Sequence, residues 1–354
     1  VLGGSFEQLP LIKYLKKNYK EFTILTFDKY KDSPALNISD RFKKIDIRDY
    51  KKILIYLKKN NLKVAGISSI ITEHSLKTIN YLSEKLHLPK TSSISVNATE
   101  SKYFSRNLFD NICDGKIEFL RTDSIKKIKN FLKKNFDKKF IMKPDISSGQ
   151  RGLFFIDKKK NFLQSFKKSI QFSINNRVIV EEYVNGKELN VVAMIKNGEI
   201  VKHIVSERCR YTKPGLGFGI VYRHSNPYKT TVLIKDKITK ILKKICKKTK
   251  IINGIIFPQF IISENKVYLI EFAERVPGGL MNKVFEYSTG IDLNRFQIDC
   301  SLNKIGKLNN YKNFKSYKNV VIEFLNGPPG ILKQGGVKFI KNVNKILKYK
   351  NVLE

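Results

Sequence analysis

Two periodicities alternate along the first quarter of the chain. Residues 24–27 form a short apolar run ending in Asp28 and read as a strand. Residues 49–60 place Ile53, Tyr56 and Leu57 on one face of a helix. Residues 64–71 give the next strand, and 75–86 set Leu76, Ile79, Leu82 and Leu86 in helical register before Leu88-Pro89. A shorter helix is expected over 9–17. Strands alternating with helices predict a parallel sheet with right-handed crossovers. Such sheets bind ligands beyond the carboxyl ends of their strands. Gly3-Gly4-Ser5, Asp28 and Ser68-Ser69 fall at those ends. The glycine pair is no dinucleotide fingerprint, because GxGxxG is absent.

From 97 onward the elements change order. A helix over 97–111 carries Lys102 and Arg106. Strand-like runs at 117–120 and 140–143 flank a helix over 125–135, and a strand at 153–156 precedes a helix over 161–175. Strands follow at 178–182 and 189–195, with a turn at Lys196-Asn197-Gly198. Residues 211–227 are rich in Gly, Tyr and Pro and predict a long loop, which in a folded protein is usually functional or disordered. Then come a basic amphipathic helix over 235–250, an antiparallel pair 253–262 and 266–271, helices over 282–288 and 292–302, and strands again from Asn319. The expected division is 1–95, a parallel α/β domain; 96–185, a linker helix and small lobe; 186–305, a large lobe; and 306–354, a β-rich segment shortened at its end.

Composition narrows the function classes. With 354 residues the chain can hold two or three cores. No apolar run approaches the about 20 residues that span a bilayer. The opening Val1-Leu2-Gly3-Gly4 goes straight into strand-and-turn sequence, so no secretory leader is expected, and the first strand is expected to be shortened. The four cysteines are far apart without a CxxC pair, which argues against zinc and disulfides and fits a reducing cytoplasm. The net charge of +37 is spread over lysine pairs such as Lys16-Lys17, Lys58-Lys59, Lys133-Lys134 and Lys243-Lys244. These read as solvated helix faces. No nucleic-acid motif accompanies them, so neither nucleic acid nor a membrane is an expected partner.

The chemistry concentrates in three stretches. Residues 267–279, VYLIEFAERVPGG, run as a strand into Glu271, Glu274 and Arg275, then turn at Pro277-Gly278-Gly279. Carboxylates at a buried strand end are costly unless paired or bound to a cation. With an arginine beside them they point to a Mg²⁺ and phosphate site; a surface ion pair is the alternative. Residues 143–152 set Lys143 before a Ser/Gly loop whose backbone N–H groups could close around phosphate oxygens, or which could be a plain hairpin turn. Residues 181–188 place Glu181, Glu182 and Glu188 around Tyr183, where they could flank an adenosine or form a charged turn.

In this order the set resembles the ATP-grasp superfamily, within the branch of biotin carboxylase, carbamoyl-phosphate synthase, the purine-pathway carboxylate–amine ligases and the L-amino-acid ligases. The resemblance covers about 1–330. It implies an N-terminal α/β domain followed by a two-lobed grasp fold. It implies ATP on Lys102 and Lys143 under a lid of Ser147, Ser148, Gly149 and Gly152. Glu181 would face the adenine amino group, the backbone of Glu182 and Val184 the ring edge, and Glu188 the ribose. Glu271 would ligate Mg²⁺ (or Mn²⁺), and Arg275 would meet the transferred phosphoryl group or the substrate carboxylate. Gln259 falls where many members carry a second metal-binding Glu, and Ala273 where they carry Asn; Glu274 would compensate as metal ligand and catalytic group alongside Lys143 and Arg275. Arg208, Arg210, Lys213 and Arg223, at the 211–227 loop, could hold an anionic substrate or belong to the general basic surplus; Arg275 and Gly278 would border the substrate. The implied activity is a carboxylate–amine ligase acting through an acyl phosphate in the cytoplasm, with small-molecule substrates and a homodimer as the common state. A bicarbonate-phosphorylating enzyme and a basic scaffold with a degenerate ATP site are the alternatives.

Overall fold

The computed structural model describes residues 1–147, 149, 151–156, 162–211, 220–312 and 315–324. The N-terminal part follows its alternating pattern only in part. Helix α1 (Leu9–Asn18) precedes strands β1 (Leu25–Asp28) and β2 (Arg41–Lys44), which pair in parallel with Leu25 opposite Arg41. Helices α2 (Tyr50–Lys59) and α3 (Leu76–Lys85) pack Ile53, Leu57, Ile79 and Leu82 against Phe27. Asp49 caps α2 as a helix start should be capped, accepting from the Lys52 amide at 3.2 Å. The strand expected at 64–71 does not form. Its neighbour at 1–3 gives it one backbone bond, Leu2 N to Ser68 O at 3.1 Å, and no ladder builds from a single rung.

The single helix expected over 97–111 is two, α4 (Ser93–Glu100) and α5 (Lys102–Phe109). Ser101 between them is extended (φ −106, ψ 119), and its hydroxyl caps α5 by accepting from Phe104 N at 3.1 Å. That break turns Lys102 and Arg106 toward the lobes that follow.

The small lobe is built from β3 (Phe119–Thr122), α6 (Ile125–Lys134), β4 (Phe140–Pro144), β5 (Phe154–Ile156), α7 (Phe162–Gln171) and β6 (Val178–Glu182). Its four strands are antiparallel in the order β3-β6-β4-β5. Ile128, Leu132, Phe140, Met142, Phe166 and Val180 make its core.

The large lobe comprises β7 (Lys187–Lys196), β8 (Glu199–Tyr211), β9 (Ile220–Asn226), α8 (Val232–Thr249), β10 (Gly254–Ile256), β11 (Gln259–Ser263), β12 (Lys266–Glu271), α9 (Met281–Thr289), α10 (Leu293–Leu302) and β13 (Val320–Glu323). The sheet order is β12-β11-β7-β8-β9-β13, with β10 also on β7. One expectation is corrected here and one strand is added. The long loop expected over 211–227 ends in β9, with 212–219 outside the described residues. Strand β8 was not anticipated, because Lys202, Glu207, Arg208 and Arg210 interrupt its apolar pattern. The last described strand, β13, joins the large sheet along β9.

Strand β7 shows how the sheet sorts its faces. Leu189, Val191, Ala193 and Ile195 face α8 and its Ile238, Ile241 and Ile245. Val192 and Met194, on the other face, enter a core shared with α1, α9 and α10. Glu188 and Asn190 lie on that second face by the period-2 rule, where the strand leaves the core. They become part of a cleft floor.

Asp145, after β4, ties these parts together. It is wholly buried and accepts from Ser101 Oγ (2.8 Å), Tyr103 N (3.0 Å), Arg121 Nε (2.7 Å) and Asn175 Nδ2 (2.7 Å). Removing one side of a buried charge pair strands the other. Asp145→Ala is therefore expected to lower stability by about 3–5 kcal/mol, read as a shifted urea midpoint. A loss below about 1 kcal/mol, typical of an exposed pair, would contradict this account.

Candidate active site

A cleft of about 540 Å³ opens between the two sheets. Ile141, Leu153 and Val184 form apolar wall on the small-lobe side, Phe260 and Ile270 on the large-lobe side. A flat aromatic ring fits between such walls. Lys102, Lys143, Arg208, Arg210 and Arg275 bring positive charge to the same space, and Glu188, Glu271, Glu73 and Glu7 bring negative charge.

At the back of the cleft is a buried ion cluster. Arg106 of α5 donates to both oxygens of Glu181, from Nε at 2.7 Å and Nη2 at 3.2 Å. Lys143 of β4 reaches the same carboxylate at 2.5 Å. Arg106 also donates to the carbonyls of Leu269 and Ile270 on β12. Burial opposes the charge on Glu181, but Arg106 and Lys143 outweigh it and hold the carboxyl at about 2. Burial depresses Lys143 despite its partner. This corrects the expectation for Glu181. Its carboxylate is taken up by two cations and is not presented to an adenine amino group. Arg106 was placed on its helix by sequence; its role was not, since nothing local marks the carboxylate it meets 75 residues later.

At the mouth, Gln259 of β11 faces Glu271 of β12 in cross-strand register. Glu271 is exposed to the cleft. Gln259 donates from Nε2 to Asn190 Oδ1 at 3.0 Å. Ala273 is buried and offers no side-chain oxygen. Among the described residues no cluster of three His, Cys, Asp or Glu side chains could hold a metal ion by itself. Mg²⁺ commonly takes one or two carboxylates plus substrate phosphates. Glu271 with the neighbouring amide fits a cation that arrives on a nucleotide.

Other expected residues sort as follows. Lys102 lines the cleft and donates to Ser147 O at 3.0 Å. Ser147 and Gly149 line it too, Gly149 at φ +70 with open space where a Cβ would be. Ser148 and Lys213 lie outside the described residues. Gly152 does not line the cleft; a Cβ there would meet Pro144 at 2.8 Å. Glu182 and Val184 border the cleft, but the Glu182 carboxylate turns to Lys138 at 3.0 Å. Glu188 accepts from Arg210 Nε at 2.8 Å, with Arg208 at 3.6 Å. Arg275 pairs with Glu73 at 3.2 Å, so the N-terminal domain completes this corner. Gly278 also lines it, pressed so close to Ile71 that a Cβ would come within 2.7 Å. Ile71 itself has φ +66, a rare state for a β-branched residue. Arg223 is corrected: it does not line the cleft, and its Nη2 reaches Cys209 Sγ at 3.6 Å. Sequence reading missed Glu73, Asn190 and His224. Only Asn190 left a signal, as a polar position inside an apolar strand.

Glu274 is the main correction. It does not line the cleft, so it neither ligates a metal nor meets substrate there. Its carboxylate is buried on the opposite side, accepting from Thr91 Oγ1, while its amide donates to Thr99 Oγ1 at 3.0 Å. One oxygen, Oε2, has no partner. Burial raises its carboxyl from 4.5 to about 7. From pH 4.5 to 7 the folded protein therefore keeps a proton that the unfolded chain has released, and stability falls as pH rises through that window. Glu274→Gln should abolish this dependence. Relative to wild type it should gain roughly 2–4 kcal/mol between pH 4 and pH 8, measured by urea unfolding at both values. Equal pH slopes for the two proteins would contradict the assignment.

Comparison with known proteins agrees with this geometry. Residues 100–277, half of the chain, match the family model of the phosphoribosylglycinamide synthetase ATP-grasp (A) domain. A D-alanine–D-alanine ligase from Prochlorococcus marinus (strain MIT 9215) is 28% identical over 166 residues, 45% of this chain and 45% of its own. The chain thus matches about half the length of that curated relative. An L-amino acid ligase from Bacillus licheniformis superposes with a TM-score of 0.69 at 15% identity, over 87% of this chain and 76% of that one. N5-carboxyaminoimidazole synthetase from Staphylococcus aureus, complexed with ADP, gives 0.67 at 16% identity, over 90% and 80%. At such identities the structural likenesses speak for the fold. With the two-lobed cleft, the facing Gln259–Glu271 pair and a family match over half its length, the chain belongs to the ATP-grasp family of phosphoribosylglycinamide synthetase type.

Proposed function

We propose that this protein is an ATP-dependent ligase that activates a small carboxylic acid, such as an amino acid, as an acyl phosphate and joins it to an amine. The observation that carries the reading is the placement of Glu271 at the mouth of a cleft whose apolar walls and lysines suit a nucleotide. The family match and the ADP bound to a structural relative support it. Among the described residues no helix is long and apolar enough to cross a membrane.

A free carboxylate is a poor electrophile. In the first step its oxygen forms a bond to the terminal phosphorus, and the bond from that phosphorus to the bridging oxygen breaks, so ADP leaves with the electron pair. The amine nitrogen then forms a bond to the acyl carbon, phosphate departs, and the amine loses a proton. The protein's task is positioning and charge neutralisation. Lys102 would hold nucleotide phosphates beside the 147–149 loop, and Arg275, fixed by Glu73, would steady the phosphoryl group in flight. Glu271 would orient the cation that neutralises the phosphates. Lys143, spent on Glu181, would act mainly through the shape and field of the cleft wall. Closing the lobes over the intermediate would exclude water, which would otherwise hydrolyse it.

Gln259 and Ala273 favour a second reading, nucleotide binding without turnover. Two measurements separate the readings. Wild type is expected to gain thermal stability with ATP or ADP in the presence of Mg²⁺, roughly 2.7 kcal/mol at about 100 times the dissociation constant. Glu271→Gln should retain the fold while losing phosphate release by on the order of 10²-fold or more, since it removes a charge at the mouth and no core volume. Near-normal phosphate release in this variant would sink the role given to Glu271. Nucleotide binding by wild type with no phosphate release, across a panel of amino acids and other small carboxylates, would bring the second reading forward.

A further inference from the structure

Among the described residues, the cations of the cleft are matched to partners with one exception. Lys102 donates to Ser147 O, Lys143 to Glu181, Arg210 to Glu188 and Arg275 to Glu73. Arg208 is different. Its Nη1 is 3.6 Å from Glu188, too long for a good hydrogen bond, and Arg210 already holds that carboxylate at 2.8 Å. The Arg208 side chain is only 15% exposed, and its Nε is buried with no acceptor. Buried donors in folded proteins nearly always have acceptors. A donor so placed in the wall of a ligand cleft is explained by an acceptor that the ligand brings.

The surroundings define what that acceptor is. Arg208 stands opposite Glu188 on β7 and opposite His224 on β9. Asn190, two residues beyond Glu188, accepts from Gln259 and contacts His224 Nδ1 at 3.4 Å. A neutral polar chain therefore runs along the floor from Gln259 to His224. Burial, then the charges of Arg208 and Arg210, hold His224 down at about 4, so it adds no positive charge near neutrality. The corner offers a guanidinium whose Nε has no acceptor and whose nearest carboxylate, Glu188, is engaged by Arg210. Gln259, which donates to Asn190, faces Glu271 across the hairpin, so the corner adjoins the end of the cleft where the phosphoryl group would be handed over.

Resting on the ligase reading, we propose that Arg208 seats the carboxylate of the phosphoryl acceptor, presenting a planar fork to its two oxygens beside the polar row of Asn190 and His224. A guanidinium matches a carboxylate in two parallel hydrogen bonds, which an ammonium cannot reproduce. The ligand class is a small carboxylic acid, bound separately from the nucleotide. Each oxygen keeps a second lone pair while it sits on the fork, and one of them attacks phosphorus with that pair.

The test loads the full chain with Mg²⁺ and β,γ-methylene-ATP, which fills the terminal phosphate position without turnover. Sodium acetate or glycine is then titrated against sodium chloride at equal ionic strength, following thermal stability and the line width of ¹³C-labelled ligand. Wild type should bind at least one of these carboxylates saturably. Arg208→Ala should weaken that binding by about tenfold or more, and Arg208→Lys by about threefold or more, with affinity for the ATP analogue within about twofold of wild type in both. If Arg208→Ala does not fold, Arg208→Lys, which keeps the charge and the stem, decides alone. Unchanged carboxylate affinity overturns the proposal, as does the lack of saturable binding by nucleotide-loaded wild type. Selective loss of the ATP analogue relative to ADP also overturns it, because Arg208 would then belong to the terminal phosphate. Failure of wild type to bind any nucleotide would instead overturn the ligase reading.

Discussion

The structure depends on a buried guanidinium. Arg106 takes both oxygens of Glu181 on the small-lobe sheet and two backbone carbonyls of β12 on the large one. With Lys143 on the same carboxylate, three charges are withdrawn from water at the back of the cleft. Desolvating them is expensive, and only close geometry and complete hydrogen bonding make it tolerable. The return is positional: one side chain fixes the separation of two sheets whose gap forms the cleft. Asp145 does a similar job one layer out, joining the break between α4 and α5 to the small lobe and so aiming Lys102.

The large sheet serves core and cleft with one periodicity. Along β7 the apolar face against α8 never changes, while the other face is polar at Glu188 and Asn190 and apolar at Val192 and Met194. The change happens where the strand passes from the cleft into the core shared with α9 and α10. Register then carries the polar rows sideways, through Gln259, Asn190 and Ser206 and through Glu188, Arg208 and His224. The site is thus made largely from side chains on a rigid sheet. Its N-terminal corner is different, because Glu73 and the strained Ile71 belong to another domain and must dock to reach Arg275 and Gly278.

Legibility in the sequence followed the range of the interactions concerned. Short-range signals read well: the helices expected from 49 and 292 form as α2 and α10, capped by Asp49 and Asp292, and the pair expected at 253–262 and 266–271 forms an antiparallel hairpin through β11 and β12. Mixed-environment elements read poorly. Strand β8 passes from core to cleft within its length and shows no single period, and the strand expected at 64–71 depended on a partner too short to pair with it.

Glu271 and Glu274 put the same limit into one segment. Both are acidic and three positions apart at a strand end, and the sequence treats them as equals. Alternation holds only while the strand continues. Past β12 the chain bends, sending Glu271 into the cleft and Glu274 into the interior beside Thr91. By itself, then, the sequence determined most of the helices and strands and the neighbourhood in which the chemistry lies, because periodicity and turns are local properties of the chain; the two-lobed fold followed from the resemblance of its ordered motifs to a known family. Only the tertiary structure decided which charges are spent on one another and which face the ligand. Glu181 is claimed by Arg106, and Arg208 is left with an unmatched donor, because residues far apart in sequence meet through packing that no local pattern encodes.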